Sequence, residues 1–189
     1  MATRKVGVIV GSIRKGSYTR MVAKALGGMG PGLQCEILEI AQLSMFNQDL
    51  EGTPPREWVE FKERIKACDA ILFVTPEYNR SVPGVLKNAI DVASRPYGHS
   101  AWTKKPCAVV SCSPGAISGF GANHHLRQSL VFLDMPAMAQ PEAYLGGVAK
   151  MFDDKGNLAN EETRAFFGKF MQAFAAWIEA NATVKTAGA

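Results

Sequence analysis

The chain has 189 residues, of which 47% are hydrophobic and 20% are charged. A chain of this length and composition can bury one complete core, so we expect a single globular domain. The formal net charge is +4, but the Lys and Arg residues are scattered, which argues against nucleic-acid binding. No apolar run is long enough to span a membrane and no signal-peptide cleavage pattern is present, so we expect a cytoplasmic protein without membrane contacts.

The four cysteines and three histidines predict neither a disulfide nor a metal site. No cysteine pair has the CxxC spacing, and the histidines do not stand at metal-ligand spacings. Cys107 and Cys112 fall on one predicted strand at an odd separation, so their side chains should face opposite sides of a sheet. We therefore expect buried free thiols, as in a reducing compartment.

The first half of the chain alternates strands and helices. Residues 5–10, KVGVIV, form a short apolar run rich in β-branched residues, which predicts a strand buried on both faces. Apolar residues then repeat at helical spacing over 18–26, residues 33–40 predict a second strand, and a second helical face covers 58–68. The segment Thr53–Pro55 before that face fits a helix start with a capping hydroxyl.

The second half continues the same alternation. Residues 70–75, AILFVT, predict a third buried strand. Pro83 opens a third helix, and Lys87, Asn88 and Asp91 are assigned to its polar face, where capping, salt bridging or a dimer contact would be their role. The remaining elements are predicted at 106–112 for strand four, 123–133 for helix four, within 137–144 for strand five, and 161–179 for the last helix.

Five strand–helix repeats predict a parallel sheet covered by helices on both faces. Right-handed crossovers then restrict the α/β fold to a doubly wound, three-layer α/β/α sandwich. We expect residues 1–180 to form this one domain and residues 181–189 to form a disordered tail. Ligands of such folds bind at the carboxyl ends of the strands, near the point where the strand order reverses. The loops after strands one, three and four are therefore the candidate site.

The first of these loops, residues 11–19, predicts an anion site. Ser12, Ser17 and Thr19 supply hydroxyl groups and Arg14 supplies a charged donor, all beside the N-terminus of a helix. The loop lacks the Gly-Lys-Ser/Thr ending of a Walker A motif and the GxGxxG spacing of a dinucleotide fingerprint. A terminal monophosphate is therefore favoured, with an ordinary capped turn as the alternative.

The second and third loops suit a flat heterocycle. Two prolines stiffen residues 75–84, in which Tyr78 offers an aromatic face and Asn79 an amide. Residues 113–119 are small and polar, so a planar ligand could approach their backbone closely. The alternative interpretations are a rigid turn in which Tyr78 covers the core, and a flexible connection.

Three stretches then carry a resemblance to a known family: GSIRKGSYTR, TPEYNRSVPGVLKNAID, and HLRQSLVFLDM followed by PEAYLGG. Together they resemble the NADPH-dependent FMN reductases, and within them the bacterial quinone and chromate reductases. The resemblance covers residues 5 to about 178, and its second stretch is long and specific. It implies a flavodoxin-like five-stranded sheet of order 2-1-3-4-5 that binds FMN without a covalent bond.

The resemblance also implies which residues bind the cofactor. The phosphate would be held in the first loop, the isoalloxazine ring would lie along the second, and its pyrimidine edge would meet the third. The implied residues are Ser12, Arg14, Ser17, Tyr18 and Thr19 in the first loop, Pro76, Glu77, Tyr78, Asn79 and Arg80 in the second, and Ser113, Gly115, Ser118 and Gly119 in the third.

The implied activity is an FMN-dependent NAD(P)H oxidoreductase that reduces quinones and other small acceptors, such as chromate, azo compounds or free flavin. Hydride would pass through flavin N5 in a ping-pong cycle with NADPH or NADH, so no side chain is identified as catalytic. Glu77 is the nearest ionisable candidate, with a purely structural contact as its alternative. A homodimer is implied. A homotetramer stays open, because Gly121 replaces an Arg that in the family can pair with the acid aligned to Glu142.

Arg80 also departs from the family, because it replaces a common Tyr. We hypothesise that it gathers the anionic dinucleotide or anionic acceptors. The main alternative function is a flavodoxin-type electron carrier without its own substrate, although such carriers are generally acidic. A receiver-type signalling domain would need acidic residues after strand one, and a flavin-free scaffold would be colourless.

Overall fold

The computed structural model describes residues 3–181. The strands are β1 (Arg4–Val10), β2 (Leu33–Ile37), β3 (Ala70–Thr75), β4 (Cys107–Cys112) and β5 (Ala143–Leu145). The helices are α1 (Tyr18–Gly27), α2 (Arg56–Ala67), α3 (Gly84–Ser94), α4 (Phe120–Phe132) and α5 (Glu161–Asn181). The predicted tail lies outside the described residues apart from Asn181, which is the last residue of α5.

The five strands form one sheet of order β2-β1-β3-β4-β5 in which every neighbouring pair is parallel. This is the flavodoxin-like order, and it confirms the predicted doubly wound sandwich. β3 lies in the middle, and all six of its residues are buried because both sheet faces carry helices. No helix within residues 3–181 is long and apolar enough to cross a membrane.

The sheet divides the interior into two apolar cores. α2, α3 and α4 pack on one face, where Phe73 meets Trp102, while α1 and α5 pack on the other. Side chains alternate between the faces along each strand, so Cys107 contributes to the first core and Cys112 to the second. The prediction that these two thiols face opposite sides is confirmed, and the four cysteines are free.

Several local predictions differ from the structure, and β2 ends at Ile37 rather than at residue 40. α2 begins after Pro55, which makes no side-chain capping bond, so the predicted capping hydroxyl of Thr53 is wrong. β5 has only three residues and lies later than most of the predicted range. Ala137, where that range begins, makes only an isolated bridge to Cys107. α4 begins at Phe120, three residues earlier than predicted.

Asn88 was placed on a polar surface of the third helix, and this assignment is wrong. Its side chain is buried, with a relative exposure of 4%. Its Oδ1 accepts a hydrogen bond from the Phe46 amide at 2.8 Å, and its Nδ2 donates to the Ser44 carbonyl at 3.0 Å. Asn88 therefore fixes the loop after β2 to α3, whereas Lys87 and Asp91 form the expected surface pair at 2.8 Å.

We expect Asn88→Ala to lower the free energy of unfolding by about 2–3 kcal/mol, because buried backbone groups of the loop lose their partner. Urea denaturation of the purified variants measures this difference. Lys87→Ala, one residue earlier on the same helix, is the control and should change the stability by less than about 0.5 kcal/mol. Equal stabilities of the two variants would contradict the assignment.

Candidate functional site

The carboxyl ends of β1, β3 and β4 meet at one edge of the sheet. Val10 pairs with Val74 and Thr75 pairs with Ser111, so the three strands end at nearly the same level. The first and second loops touch directly at Gly11, where a Cβ atom would lie 2.9 Å from Thr75 Oγ1. The parallel pairing therefore brings the three predicted loops together, and glycine permits the close approach.

The first loop ends at the N-terminus of α1, which is rich in hydroxyl groups. Ser17 caps the helix by accepting a hydrogen bond from the Arg20 amide at 3.3 Å, and its hydroxyl also bonds to that of Thr19. Ser12 is buried and accepts from the Arg14 amide at 3.4 Å. The first turn of α1 contains no acidic residue, so nothing there offsets the positive end of the helix dipole.

Arg14 is exposed and leans on an aromatic ring. Its guanidinium carbon lies 5.6 Å from the centre of the Tyr18 ring, a cation–π distance. This contact holds a positive charge beside the start of α1. Together with the helix N-terminus and the hydroxyls, it forms a donor set suited to a monophosphate.

A cleft of about 170 Å³ lies beside this helix start. It is lined by seven residues of the first two loops that the sequence analysis assigned to the site. Three further lining residues were not singled out. The ten lining residues are Ser12, Arg14, Ser17, Tyr18, Thr19, Pro76, Tyr78, Cys112, Pro114 and Val148.

The three additional residues carried different signals. Pro114 lies in the third loop but lacks a polar side chain. Cys112 ends β4 and faces the cleft because of its position on the strand. Burial raises the pKa of its thiol to about 12, so it stays neutral and adds apolar surface. Val148 follows β5 and had no signal in the sequence, because that strand was poorly placed.

The second loop makes a tight turn at Tyr78–Ser81. The amide of each end residue donates to the carbonyl of the other at 3.0 Å, and Asn79 and Arg80 between them have φ values of 52° and 63°. The left-handed region suits Asn better than Arg, so the paired hydrogen bonds hold Arg80 in an unfavourable conformation. The turn leaves Tyr78 about half exposed at the cleft, whereas Asn79 and Arg80 lie outside its lining.

Glu77 points away from the cleft, although the residues on both sides of it line the cleft. Its Oε2 accepts from the Ala122 amide at 3.1 Å, and its Oε1 pairs with Arg80 Nη1 at 2.7 Å. Burial opposes ionisation, but the Ala122 amide and the Arg80 guanidinium outweigh it and hold the pKa of Glu77 below its usual range. The side chain is therefore an ionised, anchored group.

The third loop is shaped by its own hydrogen bonds. Ser113 Oγ accepts from the Gly115 amide at 3.1 Å, and Ser118 Oγ donates to the Ala116 carbonyl at 2.9 Å. Gly119 has a φ of 75°, and a Cβ there would lie 3.0 Å from Ser111 Cβ, so this position requires glycine. The four predicted residues of this loop adjoin the cleft through Pro114 but do not line it. No group of His, Cys, Asp and Glu within residues 3–181 could hold a metal ion.

Comparison with known proteins shows the family to which the chain belongs. The sequence profile of the NADPH-dependent FMN reductases matches residues 4–150 of the chain. The chain belongs to this family. As a family member it is an oxidoreductase that uses FMN as its cofactor and NAD(P)H as its electron donor.

Individual relatives align with nearly the whole length of the chain. A quinone reductase of Pseudomonas putida (strain KT2440) is 60% identical over 181 residues, which are 95% of the chain and 97% of that protein. A 2-hydroxy-1,4-benzoquinone reductase of Burkholderia sp. is 42% identical over 175 residues, covering 92% and 96%. The solved structure of FerB, a flavoenzyme NAD(P)H:(acceptor) oxidoreductase of Paracoccus denitrificans, superposes with a TM-score of 0.90 at 40% identity and covers 95% of the chain and all of FerB.

The residues of the cleft fit FMN. Its monophosphate matches the hydroxyls and guanidinium at the start of α1. The cleft of about 170 Å³ is smaller than the roughly 300–1,000 Å³ of pockets that enclose whole ligands. A small cleft suits a flavin whose ring keeps one face open for a second substrate.

We expect Arg14→Ala to raise the Kd for FMN about ten- to a hundredfold, because one charge-assisted contact to the phosphate is lost. Titration of the flavin-free protein and flavin content after dialysis both measure this change. Arg56→Ala removes an exposed arginine of α2 that pairs with Glu60 and serves as the control. Equal flavin retention in the two variants would count against the phosphate assignment.

Proposed function

We propose that the chain is an NAD(P)H:quinone reductase that holds FMN in the cleft at the ends of β1, β3 and β4. The observation that carries this proposal is the pairing of an uncompensated, hydroxyl-rich helix start with the exposed ring of Tyr78 in one open cleft. The names of the Pseudomonas and Burkholderia relatives support quinones as the acceptor class.

The residues of the first loop would bind the phosphate. Ser12, Ser17 and Thr19 would donate hydroxyl hydrogen bonds, and Arg14 would add a charge-assisted bond. Pro76 and Tyr78 would lie along the ring system. The backbone amides of Ala116, Ile117 and Gly119 would face the pyrimidine edge, where the reduced ring carries negative charge. When bound, FMN would supply the hydride-transfer chemistry between NAD(P)H and the acceptor, and the residues of the site would supply binding and electrostatics.

Exposed apolar side chains in the segments next to the cleft suit flat, apolar acceptors. Tyr78, Ile117 and Phe120 are each at least half exposed and belong to the second loop, the third loop and the start of α4. Aromatic and aliphatic surface of this kind can stack on a quinone ring without a specific polar contact. Such an unselective surface would also admit azo compounds or free flavin, and small oxidants such as chromate could draw electrons from the same open face.

We also propose that the protein is a cytoplasmic homodimer. Val131 and Phe132 at the end of α4 are about 80% exposed, and clustered apolar surface is typical of an interface. The four free cysteines suit a reducing compartment. Sedimentation of the FMN-loaded protein distinguishes this dimer from a homotetramer.

We expect the purified protein to show a flavin absorption band that bleaches on anaerobic addition of NADPH and returns when a benzoquinone is added. Bleaching follows if the cleft admits nicotinamide to the open ring face. Free FMN at the same concentration is the control, since it lacks the binding site for NADPH. A yellow protein that stays yellow with both NADPH and NADH would instead favour the electron-carrier alternative, and a colourless protein unable to bind FMN would reject both.

The role of Arg80 stays a prediction. Its side chain is 69% exposed but already pairs with Glu77, so its charge is partly offset. We expect Arg80→Ala to raise the KM for NADPH about two- to fivefold, because an exposed positive charge is lost. The KM of the variant should also depend less on the salt concentration. Arg164→Ala, which breaks another pair at the same spacing, is the control. An unchanged KM and salt slope would reject the role.

A further inference from the structure

The start of α4 has no cap of its own. Its N-cap residue is Gly119, which has no side chain to accept a hydrogen bond, and its first turn contains no acidic residue. At the start of a helix, the side-chain oxygen of the N-cap residue normally accepts a hydrogen bond from the second or third backbone amide. Here the third amide, that of Ala122, donates instead to Oε2 of Glu77 at 3.1 Å. The cap therefore comes from another loop, 45 residues earlier in the chain.

The contact between Glu77 and α4 is tightly fitted. The side chain of Glu77 is only 9% exposed. A Cβ atom on Gly121 would lie 2.9 Å from Glu77 Oε2 and 3.1 Å from the Arg80 carbonyl. Glycine at this position thus lets the second loop approach the helix backbone. A second link, between Ser81 Oγ and His125 Nδ1 at 2.7 Å, joins the same loop to the next turn of α4.

The charge of Glu77 also lies where it alters the field at the cleft. Its carboxylate offsets the positive N-terminal end of α4, and the guanidinium of Arg80 at 2.7 Å offsets the carboxylate in turn. Pro76 and Tyr78, on either side of Glu77, line the cleft. The Glu77–Arg80 pair is therefore close to the cleft without being part of its wall.

We propose that Glu77 is a positioning residue that locks the loop after β3 to the start of α4, and that the Glu77–Arg80 pair sets the reduction potential of the cofactor. The lock fixes the spacing of the second and third loops. The electrostatic part rests on the proposed function, because it requires FMN between those loops. Neither residue needs to touch the flavin for this effect, since charges act through a partly desolvated cleft over several ångströms.

The lock is tested on the flavin-free protein by hydrogen exchange at the first turn of α4. We expect exchange of the Ala122 amide to speed up about tenfold in Glu77→Ala, the factor that corresponds to loss of about 1.4 kcal/mol. Glu77→Gln keeps an oxygen acceptor and should stay within about threefold of the parent. Glu63→Ala, which breaks the exposed pair with Lys66 at the same spacing, is the control. Exchange in Glu77→Ala equal to that of this control would overturn the lock.

The electrostatic part is tested by spectroelectrochemical titration of the FMN-loaded variants. Glu77→Gln removes a negative charge and should raise the two-electron potential, because the reduced flavin is an anion. Arg80→Ala removes a positive charge and should lower it, and both shifts should shrink at high salt. A purely structural role would not give opposite signs, so shifts in the same direction would overturn this part. A parent protein that binds no FMN would overturn the proposed function and the electrostatic part together, while the exchange result still decides the lock.

Discussion

The parallel pairing of β3 with β1 and β4 is the constraint on which the site depends. β3 and β4 are buried throughout and β1 is buried from Val6 onward, so the backbone hydrogen bonds of these stretches must be made within the sheet. The shared register then ends all three strands at one edge. Every loop that contributes to the cleft starts at that edge. The pairing of the strands therefore determines where the site lies, whichever residues the loops contain.

Of the helices that begin at this edge, α1 and α4 have N-termini with different surroundings. α1 has no acidic residue in its first turn, and its start lies among hydroxyls and Arg14. Its positive end is therefore available to an anion. α4 has no cap of its own but receives the carboxylate of Glu77. The same physical feature would thus receive a phosphate at α1, as we propose, whereas at α4 it links two loops.

The sequence predicted the parts of the fold that local pattern determines. β3 has the predicted bounds because five consecutive apolar residues and Thr75 stand between Asp69 and Pro76. β5 was misplaced because three residues cannot establish a period. Alternation of strands and helices predicted a doubly wound parallel sheet, but the strand order followed only from the resemblance to the FMN reductases. The anion site at the start of α1 stays a prediction.

Contacts between distant segments were not foreseeable. Asn88 was read as a surface residue because it lies between Lys87 and Asp91, but its partners are backbone groups more than 40 residues away. The contact of Glu77 could not be foreseen for the same reason, because its carboxylate accepts a hydrogen bond from a backbone amide of α4. The sequence shows that a residue is polar, but it does not show which distant backbone group that residue will bond.

The thiol of Cys112 in the cleft wall has a chemical consequence for the proposed substrates. Quinones are electrophiles that add to thiolates, and a thiol kept protonated by burial reacts slowly because the thiolate is the nucleophile. The pKa of Cys112 is raised to about 12 and that of Cys107 also to about 12, in each case chiefly by burial. An enzyme that handles such compounds at this cleft is thereby protected against covalent modification by its own substrate.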